Sequence, residues 1–149
     1  MSNPVPIDTH TRRASMRQIH CAIEHLHRGD FECAITLAGA AGGILPDTDE
    51  AHFRQKVKAL SKSPEIKAAG GATGPNDYIN WLKHGRLKKN GPRIENATIP
   101  AEESVAVIWR AITKYNVIHN DMSPQMLSFQ NWVKKWLVHG STPSGPSTK

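Results

Sequence analysis

A chain of 149 residues with a formal charge of +6 is long enough to bury one hydrophobic core without disulfides or a structural metal. Its two cysteines form no zinc or disulfide pattern, and no apolar run approaches the roughly 20 residues of a membrane-spanning helix. The opening residues also lack the apolar region of a secretory signal. We therefore expect a soluble cytoplasmic protein with no membrane partner, in which Cys21 and Cys33 are small buried residues.

The chain divides into three parts by composition. We predict a flexible arm over residues 1–10, one helical domain over 11–137 and a disordered tail over 138–149, which is rich in Ser, Thr, Gly and Pro. Within the domain, apolar residues recur at steps of three and four, and sustained alternation is absent. The predicted fold class is all-α, an antiparallel bundle of about five or six helices.

The first two predicted helices are joined by a short turn. The first carries the stripe Met16, Ile19, Ile23 and Leu26. It ends at Arg28 and Gly29, and Asp30 is placed to cap the second helix with its carboxylate. The second helix, "FECAITLAGAAGGIL", is rich in Ala and Gly. That composition predicts a buried helix with Gly39 packed against a neighbour.

Four more helices are predicted along the chain. They cover residues 49–60, the stretch between Asn76 and Gly85, a segment after Pro100, and a segment that begins at Ser123 and Pro124. The apolar stripes of the last two are Val105, Ile108, Trp109 and Ile112, and then Met126, Phe129, Val133, Trp136 and Leu137. Trp132 and Trp136 are predicted to belong to the core, with the two intervening lysines in water.

Several histidines and carboxylates have the spacing of a metal site. The candidate ligands are His20, Glu24, His27, Asp49 and His52. Di-iron bundles combine such pairs with carboxylates from two further helices, but the glutamates of the fifth helix fall at its start. The first three candidates also lie about 100° from the core stripe. We therefore predict a polar helix flank, no bound metal and no other cofactor.

A basic loop follows the fourth helix and Trp81. Lysines and arginines crowd into "NWLKHGRLKKNGPR", and nothing in the local sequence pairs them with acidic residues. The candidate residues for binding nucleic acid are Arg86, Lys88, Lys89 and Arg93, with Lys83 beside them. Such a loop can follow a phosphate backbone, although solvated charges at a helix end are the simpler interpretation. The chain has no nucleophile elbow or phosphate-binding glycine loop, so no catalytic residue is assigned.

Three blocks, "AITLAGAAGGIL", "NWLKHG" and "VIWRAITKYN", resemble an uncharacterised family of small bacterial all-helical proteins. The resemblance extends over residues 15–136 and implies an all-α fold without an established activity. It places a candidate polar site at Asn80, Lys83 and His84. One departure is Gly42, where the family pattern has an acidic residue.

The chain also resembles HEPN helical bundles, many of which are ribonucleases that use an Arg and a His with four to six residues between them. Arg13 and His20 have six residues between them, but they belong to the first helix, whereas the family pair lies on a late helix. Arg110 and His119 on the late helix have eight residues between them. We therefore favour a non-catalytic interaction module with an acidic partner or self-association, and keep an RNA-binding or RNA-cleaving domain as the alternative.

Overall fold

Five α-helices make up the computed structural model, which describes residues 3–46 and 76–139. They are α1 (Thr11–His27), α2 (Phe31–Ile44), α3 (Asp77–His84), α4 (Ala101–His119) and α5 (Pro124–His139). No strand occurs in these two ranges, and the predicted all-α fold class is confirmed. The helix predicted over residues 49–60 lies outside them, and α5 continues past Leu137 to His139. None of the described helices has the length and apolar character needed to cross a membrane.

The core is built around α1, α2 and α4, which pack against one another. α3 rests on α2, and α5 lies against α1 and α4. The Nε2 atom of His20 lies 2.7 Å from the Oγ atom of Ser123, which precedes α5, and the rings of His27 and Trp132 meet further along. Since both sequence positions increase together, α5 runs in the same direction as α1.

The buried face of α1 combines large and small residues. Its buried residues are Ser15, Ile19, Ala22 and Leu26. Met16 and Ile23, which belonged to the predicted stripe, are partly buried beside this line. Small side chains let neighbouring helices come close, and the hydroxyl of Ser15 is satisfied because it donates to the carbonyl of Arg12 at 3.0 Å. Ile19 and Leu26 are thus buried as predicted. The buried face of α1 is rotated from the predicted stripe towards Ser15 and Ala22.

The helix ends follow the sequence at the glycines but not at Asp30. Gly29 and Gly85 have φ angles of +83° and +70°, the left-handed conformation that ends a helix. Asp30 stands at the start of α2, yet its side chain makes no capping bond and its Oδ2 lies 3.3 Å from Nδ1 of His25. The expected Asp30 cap is therefore wrong. At α5 the backbone N–H of Met126 does donate to Oγ of Ser123.

Both cysteines are exposed and free, so the expectation that they are buried is wrong. α2 turns one face to the core, with Ala34, Ile35, Ala38 and Ala41 buried. Cys33 lies outside that face, and Cys21 likewise lies outside the buried line of α1. The apolar composition of α2 predicts burial on all sides, whereas its contacts with the other described helices bury the face towards α1, α3 and α4.

α2 has no basic residue in its last turn, and α4 supplies one. The Nζ atom of Lys114 donates to the carbonyl oxygen of Gly42 at 2.7 Å. The ammonium group therefore satisfies a carbonyl at the negative end of the α2 dipole.

Lys114→Met keeps the length of this side chain and removes the charged hydrogen bond. We expect the free energy of unfolding to fall by about 1–2 kcal/mol, measured by urea denaturation. Lys134→Met is the control, because Lys134 is exposed on α5. An equal loss in both variants would contradict a capping role for Lys114.

Candidate functional site

α3 holds the basic loop, residues 85–98, through its side chains. The hydroxyl of Tyr78 donates to the carbonyl of Thr98 at 2.8 Å, and Nε1 of Trp81 donates to the carbonyl of Ile94 at 2.7 Å. The side-chain amide of Asn80 donates to the carbonyl of Leu87 at 3.5 Å, the long limit of a hydrogen bond. Three α3 residues thus bind the loop backbone at three places.

The basic loop also closes on itself through its backbone. The N–H of Gly85 donates to the carbonyl of Trp81 at 2.7 Å, and the N–H of Ile94 donates back to the carbonyl of Gly85 at 2.8 Å. A turn in between places the N–H of Gly91 3.0 Å from the carbonyl of Lys88. The loop therefore has one defined conformation, although its glycines and charges predict a mobile segment.

Two of the five cations in and beside the basic loop have partners, which corrects the expectation of unpaired charges. Nζ of Lys88 lies 2.8 Å from Oδ2 of Asp77, whose side chain is 6% exposed while that of Lys88 is 66% exposed. Nη1 of Arg86 donates to the carbonyl of Gly91 at 2.8 Å. The ion pair joins residues eleven positions apart, which no helical spacing rule connects.

The three remaining cations are exposed. They are Lys83 at the end of α3, Lys89 and Arg93. The guanidinium of Arg93 lies over the backbone of Gly85, where a Cβ atom would be 3.3 Å from Nη1. No hydrogen bond or ion pair of Lys83 or Lys89 occurs among the described residues. The basic loop therefore presents charge to solvent from a fixed backbone.

The three residues of the candidate polar site have different environments in the structure. Asn80 is half-buried and bonded to the loop, whereas Lys83 and His84 are exposed in the last turn of α3. The contact of Asn80 is structural, and it does not involve the other two residues. Their assignment as a common site stays a prediction.

Tyr78 lies near two carboxylates at the base of the loop. Burial raises the pKa of its hydroxyl, and the charges of Glu103 and Asp77 raise it further. The hydroxyl is therefore protonated at neutral pH and serves as the donor to Thr98. Negative charge from α3 and α4 thus disfavours ionisation of the hydroxyl that anchors the loop.

The candidate metal ligands of α1 have other contacts. His20 faces Ser123, His27 packs edge-on against Trp132 with ring centroids 4.9 Å apart, and Glu24 is exposed. Burial lowers the pKa of both histidines. Residues 3–46 and 76–139 contain no group of three or more His, Cys, Asp or Glu residues that could hold a metal ion, and the candidates Asp49 and His52 lie outside these ranges.

The tryptophans of α5 contribute to the core as predicted, to different degrees. Trp136 is buried, and Trp132 is partly buried against the core. Lys134 and Lys135 are exposed between them. Among the described residues, this end of α5 therefore exposes two lysines, and its two tryptophans are not both exposed.

The two Arg and His pairs of the HEPN resemblance are placed differently in the structure. Arg110 and His119 are nine positions apart, which places them on opposite sides of α4. Burial lowers the pKa of Arg110. Arg13 is exposed and lies two helical turns from His20. Arg110 and His119 therefore lack the geometry of two groups acting on one substrate atom, whereas a common role of Arg13 and His20 stays a prediction.

A different group of polar residues does meet, at the start of α1 and the end of α4. Nη2 of Arg12 lies 2.9 Å from Oδ2 of Asp121, and Nε of Arg12 lies 3.4 Å from the hydroxyl of Tyr115. The ring of His119 packs on that of Tyr115, with centroids 4.6 Å apart. Sequence reasoning missed this group. Its signal is a basic first turn of α1 without an acidic residue, against the preference of a helix N-terminus.

Comparison of the chain with family models, with curated proteins and with solved structures found no match. The two family resemblances therefore stay predictions.

Proposed function

We propose that this all-helical domain is a non-catalytic binding module that takes an acidic segment of a partner protein on its basic loop. One observation carries the proposal. α3 holds the loop backbone in one conformation while Lys83, Lys89 and Arg93 are exposed. A binding loop that is already ordered loses less conformational entropy when a partner binds. Positive charge on such a loop also accelerates encounter with an acidic surface.

RNA is the second candidate partner, supported by the same exposed cations. Modules that bind single-stranded RNA usually stack bases on exposed aromatic rings. Two aromatic residues of α3, Tyr78 and Trp81, lie beside the loop. Both are half-buried, and the Tyr78 hydroxyl and Nε1 of Trp81 are already bonded to loop carbonyls. An acidic protein segment needs no such ring, so the contacts of Trp81 favour it. Self-association stays a prediction.

The test uses Lys83 at the end of α3 and Lys89 in the loop, which have no partner among the described residues. Lys83→Ala combined with Lys89→Ala is expected to weaken binding of a fluorescent glutamate-rich peptide roughly two- to tenfold at low salt, since each exposed charge contributes modestly. The measurement is fluorescence anisotropy across a salt series. Lys88 and Arg86 are left unchanged because they hold the loop together.

The control is Lys134→Ala combined with Lys135→Ala, which removes the same charge from the exposed side of α5. We expect peptide binding to be unchanged in that variant. An equal loss in both double variants, or no peptide binding by the unmodified protein, contradicts the proposal. Single-stranded RNA is titrated in parallel, and loop-dependent binding of RNA without peptide binding replaces the proposal by the RNA candidate.

A further inference from the structure

A compact group of polar side chains lies at the other end of α4 from the basic loop. We call it the Arg12 cluster and define it as His10, Arg12, Tyr115, His119 and Asp121. Arg12 contacts Tyr115 and Asp121, Tyr115 contacts His119, and Nδ1 of His10 accepts the backbone N–H of Arg12 at 3.1 Å. Three separate segments thus bring these residues together: the start of α1, the last turns of α4 and the connection to α5.

The first turn of α1 is basic, in a place where helices usually carry acidic residues. The first turn of α1 contains no Asp or Glu, although its free N–H groups favour negative charge. Burial lowers the pKa of His119, the positive charge of Arg12 lowers it further, and His10 adds to this effect when its ring is protonated, with Asp121 acting in the opposite direction. Asp121 is therefore the single carboxylate that opposes this field among the described groups around His119.

The cluster also has unused donors. The hydroxyl of Tyr115 accepts from Nε of Arg12, and its own hydrogen has no acceptor among the described residues. Arg12 uses Nε and Nη2, which leaves other N–H groups of its fork without a described acceptor. Nε2 of His119 is covered and has no described partner, so Nδ1 is the nitrogen that can meet a ligand.

We propose that the Arg12 cluster is a binding site for a phosphate group, held by Arg12, Tyr115 and His119, with the carboxylate of Asp121 occupying the anion position in the free protein. Arginine with a second and third donor suits a tetrahedral oxyanion with several acceptor oxygens. Asp121 is exposed, so its side chain can leave into water when phosphate arrives. This site is distinct from the basic loop and does not depend on its function.

The test is a titration of the protein with inorganic phosphate and, separately, with a nucleoside monophosphate, followed by NMR of the histidine side chains. We expect saturable shifts of His119 and a rise in its pKa, because a bound anion offsets the positive charges beside it. Tighter binding of the monophosphate identifies a phosphate ester as the ligand. Equal binding identifies free phosphate, and either result supports the site.

Four variants test whether phosphate binding depends on the Arg12 cluster or on positive surface charge in general. Arg12→Gln is expected to weaken phosphate binding about tenfold or more, and Tyr115→Phe to weaken it while preserving the buried ring. Asp121→Asn should strengthen binding, since it removes the competing carboxylate. Arg13→Gln, at an exposed neighbouring position, should leave binding unchanged. Circular dichroism verifies that each variant is folded.

Three results overturn the proposal. The first is the absence of any saturable His119 shift with either probe. The second is an equal loss of binding in Arg12→Gln and Arg13→Gln, which would assign the effect to the basic surface as a whole. The third is weaker binding in Asp121→Asn, which would show that Asp121 does not compete with the anion.

Discussion

Replacing Gly39 by leucine is expected to lower the free energy of unfolding by about 1–3 kcal/mol or more. A Cβ atom at Gly39 would already lie 3.2–3.3 Å from three side-chain atoms of Ile79. Three further carbons have no room unless α3 moves away from α2, and α3 carries the anchors of the basic loop. Urea denaturation followed by circular dichroism measures the loss.

Gly43→Leu is the matched control for Gly39→Leu. Gly43 belongs to the same helix, is exposed, and a Cβ atom there meets nothing within 4 Å. The gain in helix propensity is no smaller at Gly39, which is interior, than at Gly43 in the last turn, so a lower stability of Gly39→Leu reports the contact with Ile79. Equal stability of the two variants would show that α3 does not pack tightly on Gly39.

Met126→Ala is expected to cost about 2–5 kcal/mol, the range for truncation of a large buried side chain. Met126 is 0% exposed in the first turn of α5. The cavity would open beside the point where Ser123 meets His20, so the attachment of α5 to α1 should weaken first. Thermal unfolding monitored by tryptophan fluorescence suits this variant, because Trp132 and Trp136 lie on α5.

The adjacent Leu127 provides the comparison, since it is 48% exposed on the same turn. Leu127→Ala removes an apolar side chain of similar size with little buried contact, and we expect a loss of less than about 1 kcal/mol. A comparable loss for Leu127 would mean that α5 buries a different face.

Helix positions were predictable from the sequence because apolar spacing and the glycine stops are local signals. Gly29 and Gly85 end helices as expected, and Ile108 and Ile112 are buried in α4 as their spacing predicts. Ser15 and Ala22 were missed in the core line of α1, since a small residue is buried only where a neighbouring helix comes close. Periodicity of large side chains contains no information about that approach.

The candidate site was predicted by position but not by pairing. The sequence indicates a basic stretch after α3, and the structure places Lys83, Lys89 and Arg93 at its surface. The pairing of Lys88 with Asp77 was not predictable, because it depends on how the loop folds back over α3. The contact between Arg12 and Asp121 joins residues 109 positions apart and depends on the packing of α1 against α4.

α3 anchors the basic loop through contacts that do not depend on the side chains of the loop residues involved. The loop groups that accept from Tyr78, Asn80 and Trp81 are main-chain carbonyls, which every residue type possesses. Substitution at Lys89, which makes no anchoring contact among the described residues, therefore alters the charge of the loop without altering its course. α3 thus holds the loop by its main chain. New recognition sequences could be grafted into the loop, provided that the pairing of Lys88 with Asp77 is kept.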